Sequence, residues 1–365
     1  MARAWTAATV AGLALMACVL VPAAPAQSVP SPVAIAVLDT GIDDGHDEFD
    51  RDIERHSFVE PTVPVQPPPG LPNPFEELGK DPDGQGTAVA SRVGGKTLGV
   101  HTRTAGLVDL QVSGQYGCVQ PSPQVDRVCT GLDPAAEAAA AQAMDWLLQH
   151  HGGNGLAGPR IALLSFANRD LSGDGAETLA TQAHGLWEAG VLVVVPKGGN
   201  STLHASPYLL TVARVGDTAG CTGAAQLSPA TTLKPDVAAR GENVGVAVAR
   251  SNPTDSEFAK DNRTGAEYAA AEVASLAARI WSDRPDLPVE ALTAILRDTA
   301  TDAGTEGADA CTGFGAIQPQ AAYDAAMAWK DQTPTEPLAQ PSPAWPVVVP
   351  ILALGAMAWR RRGVA

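Results

Sequence analysis

Two side chains sit where acyl chemistry would need them. Asp39 follows the apolar run VAIAVL (33–38) and is turned by Thr40-Gly41. Asn200 closes VLVVVPKGGN (191–200), a second apolar run ending in a glycine-rich corner. At one sheet edge, a carboxylate can orient a base and an amide can hold an oxyanion. A third residue breaks the pattern. Gln85 lies between Gly84 and Gly86 in DPDGQGTAVASRV (81–93), a corner built to deliver one side chain to the start of a packed helix. An amide neither takes up a proton near neutral pH nor attacks a carbonyl.

The elements that position these residues alternate. Val33–Leu38, Ala105–Val112, Ile161–Phe166, Val191–Val195 and Leu209–Val215 are short, β-branched apolar runs that predict buried strands. Asp133–His151 and Gly175–Ala189 predict helices, with Asp133 as N-cap and Pro134 in the first turn. Strands that are apolar on both faces, separated by helices, imply a mainly parallel sheet covered on each side, a three-layer α/β/α fold. On such sheets ligands gather at the carboxyl ends of the strands.

Composition narrows the partners. The 365 residues carry a net charge of −16, with 40 acidic against 24 basic side chains, so no nucleic acid partner is expected. Residues 1–26 read as a signal peptide: Arg3, an apolar run, then Ala24-Pro25-Ala26. A single domain is expected over 27–330, a Pro-rich linker over 331–343, and a basic cytoplasmic tail over 360–365. Between linker and tail, residues 344–359 of the uncharged stretch Pro341–Trp359 form a transmembrane anchor or a removable sorting tail. This places the protein in the cell envelope, its domain extracytoplasmic, or secreted if the tail is removed. Export permits disulfides, and Cys118, Cys129, Cys221 and Cys311 remain after the signal. Cys118–Cys129 closes a short loop, which leaves Cys221–Cys311 as the second pair. No metal site is expected from the cysteines. The acidic stretch Asp43, Asp44, Asp47, Glu48, Asp50 and Asp52 reads as a solvated loop, with Ca2+ as the alternative.

Together these segments resemble the subtilase family, the subtilisin-like serine peptidases, over roughly Val33 to Ala326. VAIAVLDTGID is similar to the strand bearing the catalytic aspartate, and DGQGTAVASRV to the family's His-Gly-Thr-His-Val-Ala-Gly helix. LGVHTRTAGLVDLQV (98–112) resembles the segment that follows. ALLSFAN resembles the substrate-lining strand and implies substrate contacts at Ser165, Phe166 and Ala167. VLVVVPKGGN resembles the strand ending in the oxyanion asparagine, and KPDVAARGENV the Lys-Pro-Asp-Val-Ala-Ala-Pro-Gly segment. GAEYAAAEVASLAARIW (265–281) resembles the serine-bearing helix, and TGFGAI the glycine-rich closing turn. The order of signal, domain, Pro-rich linker and membrane segment is similar to that of the mycosins, membrane-anchored subtilases of type VII secretion.

The resemblance implies a catalytic aspartate at Asp39 and an oxyanion asparagine at Asn200. It puts Gln85 at the histidine position and Glu267 at the serine position. Removing either member from such a triad costs about a million-fold in kcat, a figure measured in this same family, or about 8 kcal/mol of barrier. Neither Gln85 nor Glu267 replaces what is missing. Glu267 also fits a capping box, with Thr264 as N-cap and its own carboxylate by the helix start. The expected function is a peptide- or protein-binding module without hydrolysis. The alternative is an active serine endopeptidase cleaving extracytoplasmic proteins. No cofactor is expected in either reading.

Overall fold

The computed structural model describes residues 33–49, 53–59, 81–101, 105–114, 134–153, 158–167, 171–198, 202–215, 234–249, 259–303 and 306–330. Its centre is a seven-stranded sheet in the order β2-β3-β1-β4-β5-β6-β7. The strands are β1 (Ala34–Asp39), β2 (Glu54–Ser57), β3 (Gly106–Gln111), β4 (Pro159–Leu164), β5 (Leu192–Pro196), β6 (Leu210–Arg214) and β7 (Val237–Ala239). Every pairing in this sheet is parallel. A separate antiparallel pair joins β8 (Val244–Ala247) and β9 (Lys260–Arg263). The helices are α1 (Gln85–Gly94), α2 (Pro134–His150), α3 (Gly173–Glu188), α4 (Thr202–Ala205), α5 (Ala266–Asp283), α6 (Val289–Asp298) and α7 (Pro319–Ala328).

Alternation along each strand divides the interior into two cores. Ile35 and Val37 of β1 join Ile161 and Leu163 of β4 against α1, α5 and α6. Ala36 and Leu38 of the same strand face the other way, with Ala162 and Leu164, against α2 and α3. Both faces of the sheet are therefore covered, and the fold is the three-layer α/β/α arrangement. The five apolar runs of the sequence became β1, β3, β4, β5 and β6, and Pro134 opens α2. Asp133 lies outside the described residues. The polar ERHS of β2, at the sheet edge, and the charged KDNR of β9 gave no apolar signal.

Helix α5 runs beneath the sheet with Ala269, Ala270, Ala271, Ala274, Ala277 and Ala278 wholly buried. Side chains this small let its backbone lie close to the strands, and larger ones there would overpack by about 1–3 kcal/mol. Register then sets the functional edge. Asp39 pairs with Gln111, so the ends of β1 and β3 lie level at the carboxyl edge. No helix among the described residues is long and apolar enough to cross a membrane; the segment 331–365 lies outside them. So do Cys118, Cys129 and Cys221, and with them the expected pairings; Cys311 is described and is disulfide-bonded.

Candidate functional site

Asp39 is buried at the end of β1, and its neighbours hold both carboxylate oxygens. The Thr40 amide donates to Oδ1 at 2.7 Å, and the Ser165 hydroxyl lies in a short contact with Oδ2. The same hydroxyl is 3.0 Å from the Leu38 carbonyl, so the end of β4 braces the end of β1. Phe166 and Ala167 are wholly buried in the α2–α3 core. Their side chains are part of that core and not of an open surface.

The turn after Asp39 is fitted to the start of α1. A Cβ on Gly86 would lie 2.0 Å from the Gly41 carbonyl oxygen, so the second glycine of the corner permits close approach of helix to turn. The first, Gly84, has φ 79°, a left-handed conformation that glycine adopts at little cost. Asp81 ties these parts together. It accepts from the Thr40 hydroxyl at 2.7 Å, the Gly84 amide at 2.8 Å and the Thr87 amide at 2.7 Å, and the Thr87 hydroxyl makes a further short contact. Burial pushes its carboxyl above the usual carboxylate range, and these four bonds pull against that rise.

Asp109 supports the same turn from β3. It accepts from the Ile42 amide at 3.0 Å and pairs with Arg55 at 2.8 Å. Burial still pushes its carboxyl up to about 8; Arg55 opposes this, while Asp81 and Asp39 add negative charge. Its Oδ1 is buried without a hydrogen-bond partner. Nothing local singles out Asp81 or Asp109, since each looks in the sequence like an ordinary loop or strand residue.

Gln85 is the first residue of α1 and only 3% exposed. Its amide nitrogen donates to Glu267 Oε1 at 3.1 Å, and the Tyr268 hydroxyl donates to its amide oxygen at 3.4 Å. Glu267 is 4% exposed in the first turn of α5. The two residues that the resemblance puts at the base and nucleophile positions are thus bonded to each other. Together with Asp39 they form one buried polar floor at the carboxyl edge of the sheet.

The capping box does not form as expected. The N-cap of α5 is Gly265, with no side-chain cap, and Thr264 instead accepts from the Asn243 amide at 2.9 Å. Because the helix begins one residue later than the motif requires, Glu267 falls at the second helical position. Its carboxylate nevertheless folds back over the helix start, where a Cβ on Gly265 would lie 2.4 Å from either oxygen. Negative charge is favoured there by the helix dipole.

Asn200 lies outside the described residues, two positions past Gly198. Ser275 is wholly buried, and its hydroxyl accepts from the His101 amide at 3.2 Å, away from the floor. The acidic stretch is not a uniformly solvated loop: Asp43 and Glu48 are buried. Glu48 accepts from the Thr97 and Leu98 amides at 2.7 and 3.1 Å and from Lys260 at 2.6 Å. Burial alone would raise its carboxyl, but these bonds hold it at about 2. Asp50 and Asp52 lie outside the described residues, among which no three His, Cys, Asp or Glu groups could hold a metal.

Comparison with known proteins agrees with this geometry. The model of the subtilase peptidase family matches residues 31–315. A subtilisin-like protease of Coccidioides posadasii (strain C735) is 31% identical over 165 residues, which is 45% of this chain and 34% of that protein. The chain thus aligns with about a third of that relative's length. Among solved structures, fervidolysin from Fervidobacterium pennivorans, a keratinolytic enzyme related to subtilisin, aligns with TM-score 0.51 and 17% identity over 81% of this chain and 43% of its own. A lanthipeptide protease aligns with TM-score 0.53 and 16% identity, covering 80% of this chain and 87% of its own. At such identities these two likenesses speak for the fold alone.

Proposed function

This chain belongs to the subtilase family, and from that premise we propose that it is a member without hydrolytic activity that binds peptide or protein segments in the family's cleft. One observation carries the reading: Gln85 and Glu267, at the base and nucleophile positions, are buried and bonded to each other at 3.1 Å. A general base must take the nucleophile's proton and return it to the leaving amine, which a carboxamide cannot do near neutral pH. Glu267, bonded to the Gln85 amide, would attack a peptide carbonyl poorly. Asp39 is held by Thr40 and Ser165, and the base position carries Gln85 in place of a histidine.

The carboxyl ends of the strands are still where a ligand would lie, and an extended peptide can be held there by main-chain hydrogen bonds without being cut. The domain acts outside the cytoplasm, exported by residues 1–26 and held to the membrane by 344–359. Binding is tested by incubating the purified protein with an array of unstructured peptides. The expected result is saturable binding of a peptide subset, weakened by a bulky Gly198→Trp at the corner after β5. An array that captures nothing, or binding indifferent to that substitution, refutes the module.

A further inference from the structure

The two faces of the sheet end differently at the carboxyl edge. Along β1, Ile35 and Val37 face α1 and α5, so Asp39 leaves the strand on that side, toward the helices whose first turns carry Gln85 and Glu267. Along β5, Val193 and Val195 face α2 and α3, so Lys197 leaves on the opposite side, where Phe166 and Leu203 are packed. Lys197 is half-buried, and Gly198 after it is exposed.

Two contacts fix the backbone that carries this lysine. Its amide donates to the Val212 carbonyl of β6 at 2.7 Å, and the buried His204 ring donates through Nε2 to the Pro196 carbonyl at 3.2 Å. The ring of Pro196 restricts the chain further. Burial pushes the His204 imidazole below its usual value, so near neutral pH it adds no second positive charge to this corner. Lys234, which also bears on that imidazole, is bound to Asp236 at 2.6 Å. The corner after β5 thus delivers a cation from a set backbone, while the floor on the other face carries the buried carboxyl groups of Asp39 and Glu267.

From this split we infer that the ligand segment carries an acidic side chain where it passes Lys197, and an uncharged or basic residue where it passes Asp39 and Glu267. The inference rests on the peptide-binding reading and narrows its ligand. Only β4 stands between β1 and β5 in the sheet. Neighbouring strands lie about 4.8 Å apart, so the two strand ends are about 10 Å apart, and an extended segment crossing them advances about 3.3 Å per residue. The acidic residue and the one over the floor are therefore about three positions apart. A segment with these charges in the reverse order would set like charges together at both points, which disfavours the wrong register and the wrong direction. The net charge of −16 would repel an acidic segment as a whole, so the selection is of one position.

A peptide captured by the array, with each position replaced in turn by Glu and by Lys, tests this against the wild-type protein and two variants. The wild type is expected to favour Glu over Lys by about tenfold at one position, and Lys over Glu about three positions away. Lys197→Glu should reverse the first preference and leave the second. Lys197→Met, which keeps most of the stem without the charge, should abolish the first alone. Preferences spread evenly over the peptide, or altered by neither variant, overturn the charge selection and leave peptide binding standing. An array that captures no peptide overturns the binding reading and this inference with it.

Discussion

Two sets of buried polar side chains meet at the Asp39–Gly41 turn, and they differ in where their partners come from. Behind the turn, Asp81 takes four contacts from Thr40, Gly84 and Thr87, and Asp109 binds Ile42 and Arg55. In front of it, Gln85 and Glu267 bond across the gap between α1 and α5. The rear set shapes the loops that would present catalytic side chains. The front set occupies the positions those side chains would take. In the proposed reading, a scaffold for catalysis and the groups that catalyse are separable: the first keeps its form, while an amide and a carboxylate bonded to each other stand in the second.

The largest effect should come from the rear set. Asp81→Ala would strand four buried donors and cost about 3 kcal/mol in urea unfolding, with an unchanged denaturant slope. A loss under about 1 kcal/mol would break the distinction between scaffold and filling. The next largest is a pH effect from Asp109. Its unfolded carboxyl releases a proton near pH 4, while the folded one keeps it to about 8. The native state therefore binds more protons in that window, and stability should fall as pH rises through it, by up to about 1.4 kcal/mol per unit. Asp109→Asn should flatten this dependence between pH 5 and 7; an unaltered slope would assign it elsewhere.

In the front set, a double-mutant cycle with Gln85→Ala and Glu267→Ala should give a coupling of about 1 kcal/mol, as for a buried hydrogen bond. Additive losses would mean that the two residues share a site without supporting each other. The smallest effect belongs to Ser165→Ala, about 1 kcal/mol, because Asp39 keeps its bond from the Thr40 amide.

Much of the fold was legible because parallel strands buried on both faces must be apolar throughout. β1, β3, β4, β5 and β6 announce themselves, whereas β2 is half exposed at an edge and β9 carries Lys260, Asp261 and Arg263. The resemblance puts Gln85 and Glu267 at the base and nucleophile positions, and the fold brings these two residues together. Their mutual bond was not legible, since 182 residues separate them and nothing local to either one names its partner. The same holds for Ser165 on Asp39, separated by 126 residues, and for the distant contact of Asp81 with Thr40. The capping box misled by one position because Gly265, not Thr264, turns the chain into α5.

The most direct test of the account treats the purified protein with a fluorophosphonate probe while following hydrolysis of casein at neutral pH. The account predicts no serine labelling and no turnover above the buffer rate. Labelling of any serine together with casein cleavage that the probe abolishes would contradict it.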